Sequence, residues 1–213
     1  MITTRIKVQS FHLVDYIQND CSNPSKIILL LHGYGESSQK IYKRLIDFLP
    51  QDALVIAPNG PFPSPSPTDD GYKISFAWYF FDNKKGEFFI DYDLPSELLK
   101  NLFIQLNLKD LPLTIIGYSQ GGYLAPFVGE KIPQTKHVIG VNCRFRFDKL
   151  QDKLNFKIDA IHGEQDESVD PLRAQESFSV LKDRGNSGDF FILKNEGHRL
   201  TLPFREKIRE LMG

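Results

Sequence analysis

The sequence predicts an α/β fold in which a mostly parallel central sheet is covered by helices on both faces. Short apolar runs and helix-like stretches alternate along the chain. Parallel strands need a crossover connection, and the crossover helix packs back on the sheet. With 213 residues, 41% of them hydrophobic, the chain can form one sizeable core. We therefore expect a single domain over residues 1–213.

Five apolar runs are predicted to be buried strands, because each is short and the clearest of them lead into glycine, proline or asparagine. The early segment from Thr3 to Ile17 is different, since its pattern is typical of an antiparallel pair joined near Gln9 and Ser10. The five predicted buried strands are Lys26 to Leu31, Ala53 to Ala57, Leu113 to Ile116, His137 to Val141 and Lys157 to Ile161.

Five stretches between these runs have helical patterns, and several begin with a proline in the first turn. Asp170, just before Pro171, is placed to cap the fourth of them. The proline-rich segment from Asn59 to Asp70 cannot be a helix or a central strand, and it is predicted to be the longest loop. The predicted helices are Ser37 to Phe48, Pro95 to Leu106, Gly121 to Lys131, Pro171 to Asp183 and Pro203 to Met212.

Composition favours a small-molecule partner. The 26 basic and 27 acidic residues nearly cancel, so charge gives no reason to expect binding to nucleic acid or to an anionic membrane. Cys21 and Cys143 are too few for a disulfide framework and lack the spacing of a metal site. We therefore expect no metal. No apolar run is long enough for stable membrane insertion, and no secretory leader is recognisable, so we expect a cytoplasmic protein.

The strongest chemical signal is a G-x-S-x-G pattern that runs from Gly117 to Gly121 between a predicted strand and a predicted helix. The two glycines would permit a tight turn, the elbow (residues 117–121), that leaves the hydroxyl of Ser119 exposed above the sheet. Ser119 is therefore the predicted nucleophile, and the backbone N–H of Gln120 could face a developing oxyanion. A glycine-rich turn without chemistry is the alternative interpretation.

A second oxyanion donor is expected in the loop that follows the first buried strand. The loop reads His32-Gly33-Tyr34-Gly35-Glu36, and the backbone N–H of Tyr34 is the candidate donor. The imidazole of His32 is better suited to orient this loop through hydrogen bonds than to transfer protons.

The base and the acid are predicted from chain order and from the loops that carry them. His198 follows the apolar run from Phe190 to Leu193, where a loop could deliver an imidazole to the sheet edge. Asp166 lies in the loop after a buried strand and could orient that imidazole. Glu164, Glu167 and Asp170 are rival acids in the same loop.

Taken together, these blocks resemble the phospholipase/carboxylesterase family of α/β-hydrolases, the group that includes acyl-protein thioesterases. The resemblance implies an α/β-hydrolase fold without a large lid domain, a catalytic triad of Ser119, Asp166 and His198, and an oxyanion hole formed by the amides of Tyr34 and Gln120. It also implies carboxylic ester or thioester substrates and no cofactor. The matching blocks are Leu31 to Glu36, Ala57 to Asn59, Trp78-Tyr79, Gly117 to Gly122, His162-Gly163 with Asp166, and Gly197-His198.

Two segments depart from the family pattern, and they affect which substrate the resemblance implies rather than the triad. Val138 to Arg144 lacks the usual serine-glycine pair, and the stretch from Tyr79 to Tyr92 is unusually aromatic. A loop-borne aromatic cluster could line an acyl or aryl pocket, although core packing or a strand pair would explain the same residues. Phe62, Phe76 and Trp78 are the predicted substrate-binding residues.

Two other functions are compatible with parts of the sequence. The scaffold could be a catalytically silent ligand-binding module, because a fold alone does not carry a function. A thiol hydrolase using Cys143 is weaker, since no glycine of an elbow precedes that cysteine in the required place. The acyl chain length stays open, and exposed aromatic residues are compatible with either a monomer or a homodimer.

Overall fold

A central sheet of seven strands organises the protein. The computed structural model describes residues 12–82, 84–108 and 110–213. The strands in chain order are β1 (Tyr16–Gln18), β2 (Lys26–Leu31), β3 (Ala53–Pro58), β4 (Phe62–Thr68), β5 (Gly71–Ala77), β6 (Phe80–Asp82), β7 (Glu87–Ile90), β8 (Leu113–Tyr118), β9 (Thr135–Val141), β10 (Lys157–Gly163) and β11 (Phe190–Leu193).

The central sheet has the order β1-β3-β2-β8-β9-β10-β11. Every pair in it is parallel except β1 with β3, where Tyr16 lies opposite Pro58. The first part of the predicted N-terminal pair, through residue 11, lies outside the described residues. The strands β8, β9 and β10 are neighbours, so the loops at their carboxyl ends meet at one edge of the sheet.

Helices cover both faces of the sheet because the strands are apolar on both sides. In β2, Ile27 and Leu29 pack into one core cluster, whereas Ile28 and Leu30 pack into the other. The helices are α1 (Ser38–Leu45), α2 (Asp93–Gln105), α3 (Gln120–Lys131), α4 (Pro171–Asp183) and α5 (Leu202–Met212). The first cluster is completed by α2, α3 and α4, and the second by α1 and α5.

This architecture confirms the predicted fold class, a mostly parallel α/β sheet with no large additional domain. A helix lies at each of the five predicted positions, although the first prediction is divided between α1 and a 3-10 turn at Ile46–Phe48. Within the described residues, no helix is both long and apolar enough to cross a membrane.

The prediction of a long loop from Asn59 to Asp70 is wrong. Most of that segment forms β4, which pairs antiparallel with β5 in a separate two-stranded ribbon. The prolines of β4 occupy alternate positions, so their missing N–H groups all fall on one edge of the strand. The backbone groups of the intervening residues pair with β5. The hydroxyl of Ser75 also donates to the carbonyl of Ser64 at 3.0 Å. Proline therefore excludes a central strand here but permits an edge strand.

Candidate active site

Ser119 lies on a strained turn between β8 and α3. Its φ of 51° and ψ of −117° are values that a residue other than glycine rarely adopts. A methyl group at Gly117 would overlap the carbonyl of Gly121, and one at Gly121 would overlap the carbonyl of Leu31. Glycine is therefore required on both sides of the serine, which is the steric reason for the G-x-S-x-G spacing.

His198 connects Ser119 to Asp166 through hydrogen bonds. Its Nε2 lies 2.9 Å from the Oγ of Ser119. Its Nδ1 lies 2.8 and 3.0 Å from the two carboxylate oxygens of Asp166. Because a carboxylate only accepts, Nδ1 carries the proton and Nε2 is left free to accept one from the serine hydroxyl. The geometry thus brings together the three residues predicted as nucleophile, base and acid.

The carboxylate of Asp166 is held in its charged form by several donors. Its Oδ1 accepts the backbone N–H groups of Ser168 and Val169, both at 2.9 Å. The Nε2 of His162 lies 3.3 Å from Oδ2 and 2.9 Å from the carbonyl of Val169. Burial alone raises the pKa of Asp166, but the hydrogen bonds from His162, His198 and the backbone outweigh it and hold the pKa well below its usual value.

The three rival acids of this loop do not contact His198. The side chain of Asp170 caps α4, where it accepts the N–H of Leu172 at 2.9 Å, as the sequence predicts. Glu164 accepts the N–H of Asn195 at 3.3 Å, and Glu164 and Glu167 are both exposed.

Two backbone N–H groups beside Ser119 are available to a substrate. Among the described residues, neither the N–H of Tyr34 nor that of Gln120 has a protein acceptor. The N–H of Gln120 opens α3, and the first N–H groups of a helix have no acceptor within it. The loop of Tyr34 is fixed by a bridge in which Gly35 donates to the carbonyl of Phe76 at 3.0 Å and Phe76 donates to that of Glu36 at 2.8 Å.

His32 serves the structure of this loop. Its Nδ1 lies 2.8 Å from the carbonyl of Gly33, so Nδ1 is the donor, and its Nε2 accepts the N–H of Gly60 at 3.0 Å. Burial lowers the pKa of His32 to about 4, which keeps the ring neutral near pH 7. A neutral, fully engaged imidazole cannot serve as a mobile base.

The side chain of Gln120 has a positioning role that sequence reasoning missed. Its Oε1 accepts the N–H of Trp78, and its Nε2 donates to the carbonyl of Tyr79, both at 2.9 Å. The indole N–H of Trp78 in turn donates to the carbonyl of His32 at 2.9 Å. These bonds connect the aromatic segment to the two loops that are predicted to carry the oxyanion donors. The motif drew attention to the backbone of Gln120, and no local pattern indicates what its side chain contacts.

Asn142 is a second residue that the motifs did not single out. It is fully buried, with a φ of 48° just after β9. Its amide accepts the N–H of Gly163 at 3.0 Å and donates to the carbonyl of Gly197 at 3.1 Å. The hydroxyl of Tyr118 donates to the carbonyl of His198. The loops of the acid and the base are therefore joined to each other and to the serine strand.

A cavity of about 460 Å³ opens beside Ser119, within the size range of small-molecule sites. The predicted substrate-binding residues Phe62, Phe76 and Trp78 are not among the residues that line it. Trp78 is fully buried in the core, and Phe76 is engaged by the loop of Tyr34. The lining residues are Tyr34, Tyr79, Phe80, Phe81, Phe88, Tyr92, Ser119, Gln120, Tyr123, Arg144, Arg146 and Ser168.

The aromatic segment combines the two interpretations that the sequence left open. Tyr79 is buried in the core and also lines the cavity, whereas Phe80 and Phe81 lie on β6, which pairs with β7. Phe81 and Phe88 face one another across this hairpin with ring centroids 4.8 Å apart. The hairpin thereby carries aromatic rings into the cavity wall. Whether a residue of this segment lies in the core or lines the cavity depends on the direction of its side chain. The sequence does not reveal that direction, because apolar and polar residues do not alternate regularly here.

Replacing Trp78 with phenylalanine should affect stability and leave acyl selectivity unchanged. The variant loses the indole donor to His32 and leaves a small void, so we expect the free energy of unfolding to fall by about 1–3 kcal/mol in urea titrations. The relative rates on short and long 4-nitrophenyl esters should match those of the wild type. Phe80→Ala, at a lining position, provides the contrast, and an equal change in chain-length preference for both variants would contradict this assignment.

Cys143 is unsuited to the role of a thiol nucleophile. Its side chain is almost fully buried against Gly122 and Gly140. Burial raises the pKa of the Cys143 thiol well above its usual value, so the thiolate is strongly disfavoured. The alternative of a thiol hydrolase is therefore set aside.

Three features define the class of the protein as an α/β-hydrolase fold. They are the mostly parallel sheet, the strained serine after one of its strands, and the histidine–aspartate pair on later loops. The chain belongs to the phospholipase/carboxylesterase family, whose model matches residues 14–212. This match confirms the resemblance drawn from the sequence motifs.

Solved structures of low sequence identity share the fold over nearly the whole chain. Esterase PE8 has a TM-score of 0.73 at 21% identity, covering 93% of this chain and 97% of its own. Acyl-protein thioesterase 2 of Zea mays has 0.70 at 17% identity, covering 95% and 98%. The Bacillus cereus carboxylesterase has 0.69 at 16% identity, covering 94% and 93%. Comparison with curated proteins gives no match.

Proposed function

We propose that this protein is a serine hydrolase that cleaves carboxylic esters or thioesters through Ser119, His198 and Asp166. The observation that carries the proposal is the continuous hydrogen-bonded chain from the Oγ of Ser119 to His198, at 2.9 Å, and from His198 to Asp166, at 2.8 Å. Membership of the phospholipase/carboxylesterase family supports the same reaction class.

In the acylation step, the Oγ of Ser119 attacks the carbonyl carbon of the substrate while the Nε2 of His198 accepts the hydroxyl proton. Negative charge develops on the carbonyl oxygen, and the N–H groups of Tyr34 and Gln120 stabilise it. Asp166 keeps the proton of His198 on Nδ1 and stabilises the imidazolium. Collapse of the intermediate breaks the bond to the alcohol or thiol, which leaves with the proton from Nε2.

Deacylation uses the same groups with water in place of the serine. His198 removes a proton from the water, whose oxygen attacks the acyl carbon. Collapse of this second intermediate breaks the bond between the acyl carbon and the Oγ of Ser119, which takes the proton from His198 as the carboxylic acid leaves. The buried hydrogen bonds around Asp166 matter in both steps, because the acid must stay charged each time the imidazole becomes protonated.

The cavity indicates a substrate with an apolar portion of modest size. Tyr79, Phe80, Phe81 and Phe88 give its wall an aromatic surface, and about 460 Å³ accommodates a small ester. We infer that one domain carries this activity, since the family match extends over residues 14–212. A cytoplasmic location, the absence of nucleic-acid binding and the choice between monomer and homodimer stay predictions.

A fluorophosphonate probe followed by peptide mapping tests the proposal. We expect the probe to modify Ser119 in the wild type, because the elbow presents its Oγ to the cavity and His198 can accept its proton. Ser179→Ala, a change at an exposed position of α4, is the matched control and should be labelled like the wild type. Folded protein that takes up no label would favour the silent binding module instead.

A further inference from the structure

One guanidinium in the wall of the cavity has no carboxylate partner among the residues that the structure describes. Arg144 lies three residues after β9, is half-buried and lines the same cavity as Ser119. Within the described part of the chain, no carboxylate forms an ion pair with it. The other cationic lining residue, Arg146, is bound by Asp148 in a bidentate pair at 2.6 and 2.8 Å. The charge of Arg146 is therefore compensated, whereas that of Arg144 is not.

The backbone of Arg144 is anchored beside the nucleophile. The strand β9 that leads to it is tied to the elbow, because the N–H of Ser119 donates to the carbonyl of Val141 at 2.8 Å. Tyr123, another lining residue, lies close to Arg144. The side chain thus starts from a fixed point at the edge of the sheet where the reaction would occur.

The remaining polar groups of the cavity leave this positive charge uncompensated. Burial raises the pKa values of Tyr79 and Tyr92, and it raises that of Tyr123 to about 12, so all three phenols are neutral near pH 7. No acidic side chain is among the lining residues of the described chain. A partly desolvated charge without a partner is unfavourable, and an anion that enters the cavity would relieve this cost.

We propose that Arg144 binds an anionic oxygen group of the substrate, a carboxylate or a phosphate, while Ser119 attacks the ester or thioester carbonyl. This inference rests on the proposed hydrolase function and narrows its substrate class to esters with a negative charge on the acyl or the leaving group. A planar guanidinium suits such groups because it can donate two parallel hydrogen bonds. The net charge of the whole chain is only −1, so a preference for anions is expected from charged groups at the cavity and not from the overall charge.

Substrate pairs whose two members have the same acyl-chain length test the proposal. The first pair is the mono-4-nitrophenyl ester of glutaric acid and 4-nitrophenyl valerate, which differ by a carboxylate on the acyl side. The second is monobutyryl-glycerol 3-phosphate and monobutyrin, which differ by a phosphate on the leaving group. The quantity measured is the ratio of kcat/KM for the anionic over the neutral member. In at least one pair, Arg144→Gln should lower this ratio by about 10- to 100-fold, the effect of a charged hydrogen bond.

The ratio cancels general damage, because both members of a pair are measured on the same variant. Arg144→Lys should retain part of the preference, since it keeps the charge but loses the bidentate geometry. The double variant Arg146→Gln/Asp148→Asn removes the neighbouring ion pair without changing the net charge, and its ratio should stay within about twofold of the wild type. A wild type that prefers the neutral member in both pairs, or an unchanged ratio in Arg144→Gln, overturns the proposal.

A binding measurement separates this inference from the hydrolase proposal. The mono-4-nitroanilide of glutaric acid should bind Ser119→Ala more tightly than it binds Ser119→Ala/Arg144→Gln in calorimetric titrations, by about tenfold or more. The neutral valeric 4-nitroanilide should not distinguish the two proteins. Arg144-dependent binding with no turnover of any ester would support Arg144 and refute the hydrolase. Serine-dependent turnover without any dependence on Arg144 would support the hydrolase and refute the role of Arg144.

Discussion

Ser119→Ala is expected to lower the kcat for 4-nitrophenyl butyrate by a factor on the order of 10⁶, the largest loss among the variants considered. The alanine has no atom that can form the acyl-enzyme, and the base at 2.9 Å then has no hydroxyl to deprotonate. Residual hydrolysis can come only from substrate binding and from the N–H groups of Tyr34 and Gln120, the proposed oxyanion donors. Steady-state kinetics at saturating substrate measure the effect.

This loss should not come from unfolding. Alanine suffers the same backbone strain as serine at a φ of 51°, so the urea midpoint should change little. Ser179→Ala, on the outer face of α4, should keep the activity of the wild type. A Ser119→Ala protein that keeps more than a few per cent of the activity would refute the assignment of the nucleophile.

Asp166→Asn is expected to lower kcat by about 10⁴-fold while the loops stay in place. An amide can present its NH₂ group to Nδ1 of His198, which moves the imidazole proton to Nε2 and removes the acceptor that Ser119 needs. Asp170→Asn is the matched control, because that residue caps α4 and asparagine is also a good cap. A full-activity Asp166→Asn enzyme would mean that another group orients the histidine.

The same variant has an expected signature in the pH dependence of stability. Because the folded pKa of Asp166 lies below its unfolded value near 4, the carboxylate stabilises the fold above about pH 4, and this contribution is lost as the pH falls toward the folded pKa. The difference in the free energy of unfolding between wild type and Asp166→Asn should therefore shrink between pH 7 and pH 3. Urea titrations at several pH values would show a constant difference if the carboxylate were not held in this way.

Much of the fold could be predicted because its signals are local in the sequence. Buried strands such as β2 and β3 are apolar on both faces, and helices such as α4 start at a capping residue and a proline. The segment of β4 shows where local reasoning stops. Its prolines exclude a central strand, but only the presence of β5 opposite decides between a loop and an edge strand.

The residues proposed for chemistry were also visible in the sequence, since the elbow glycines and the loops of Asp166 and His198 carry recognisable motifs. The surroundings were not. The sequence predicts that Trp78 binds substrate, yet its side chain is fully buried in the core. Arg144 lines the cavity, although in the sequence its segment stands out only by departing from the family pattern. No motif assigns these roles, because each depends on which distant chain segments pack nearby.

The sequence by itself therefore determined the fold class, the family and the candidate nucleophile, base and acid, because strand termini and steric turns impose fixed residue types at fixed spacing. Only the tertiary structure decided which aromatic residues line the cavity, how the side chain of Gln120 bonds to Trp78 and Tyr79, and that Arg144 has no carboxylate partner among the described residues. These properties arise from contacts between segments far apart in the chain. The direction of a side chain and the balance of charge around it exist only once those segments have packed.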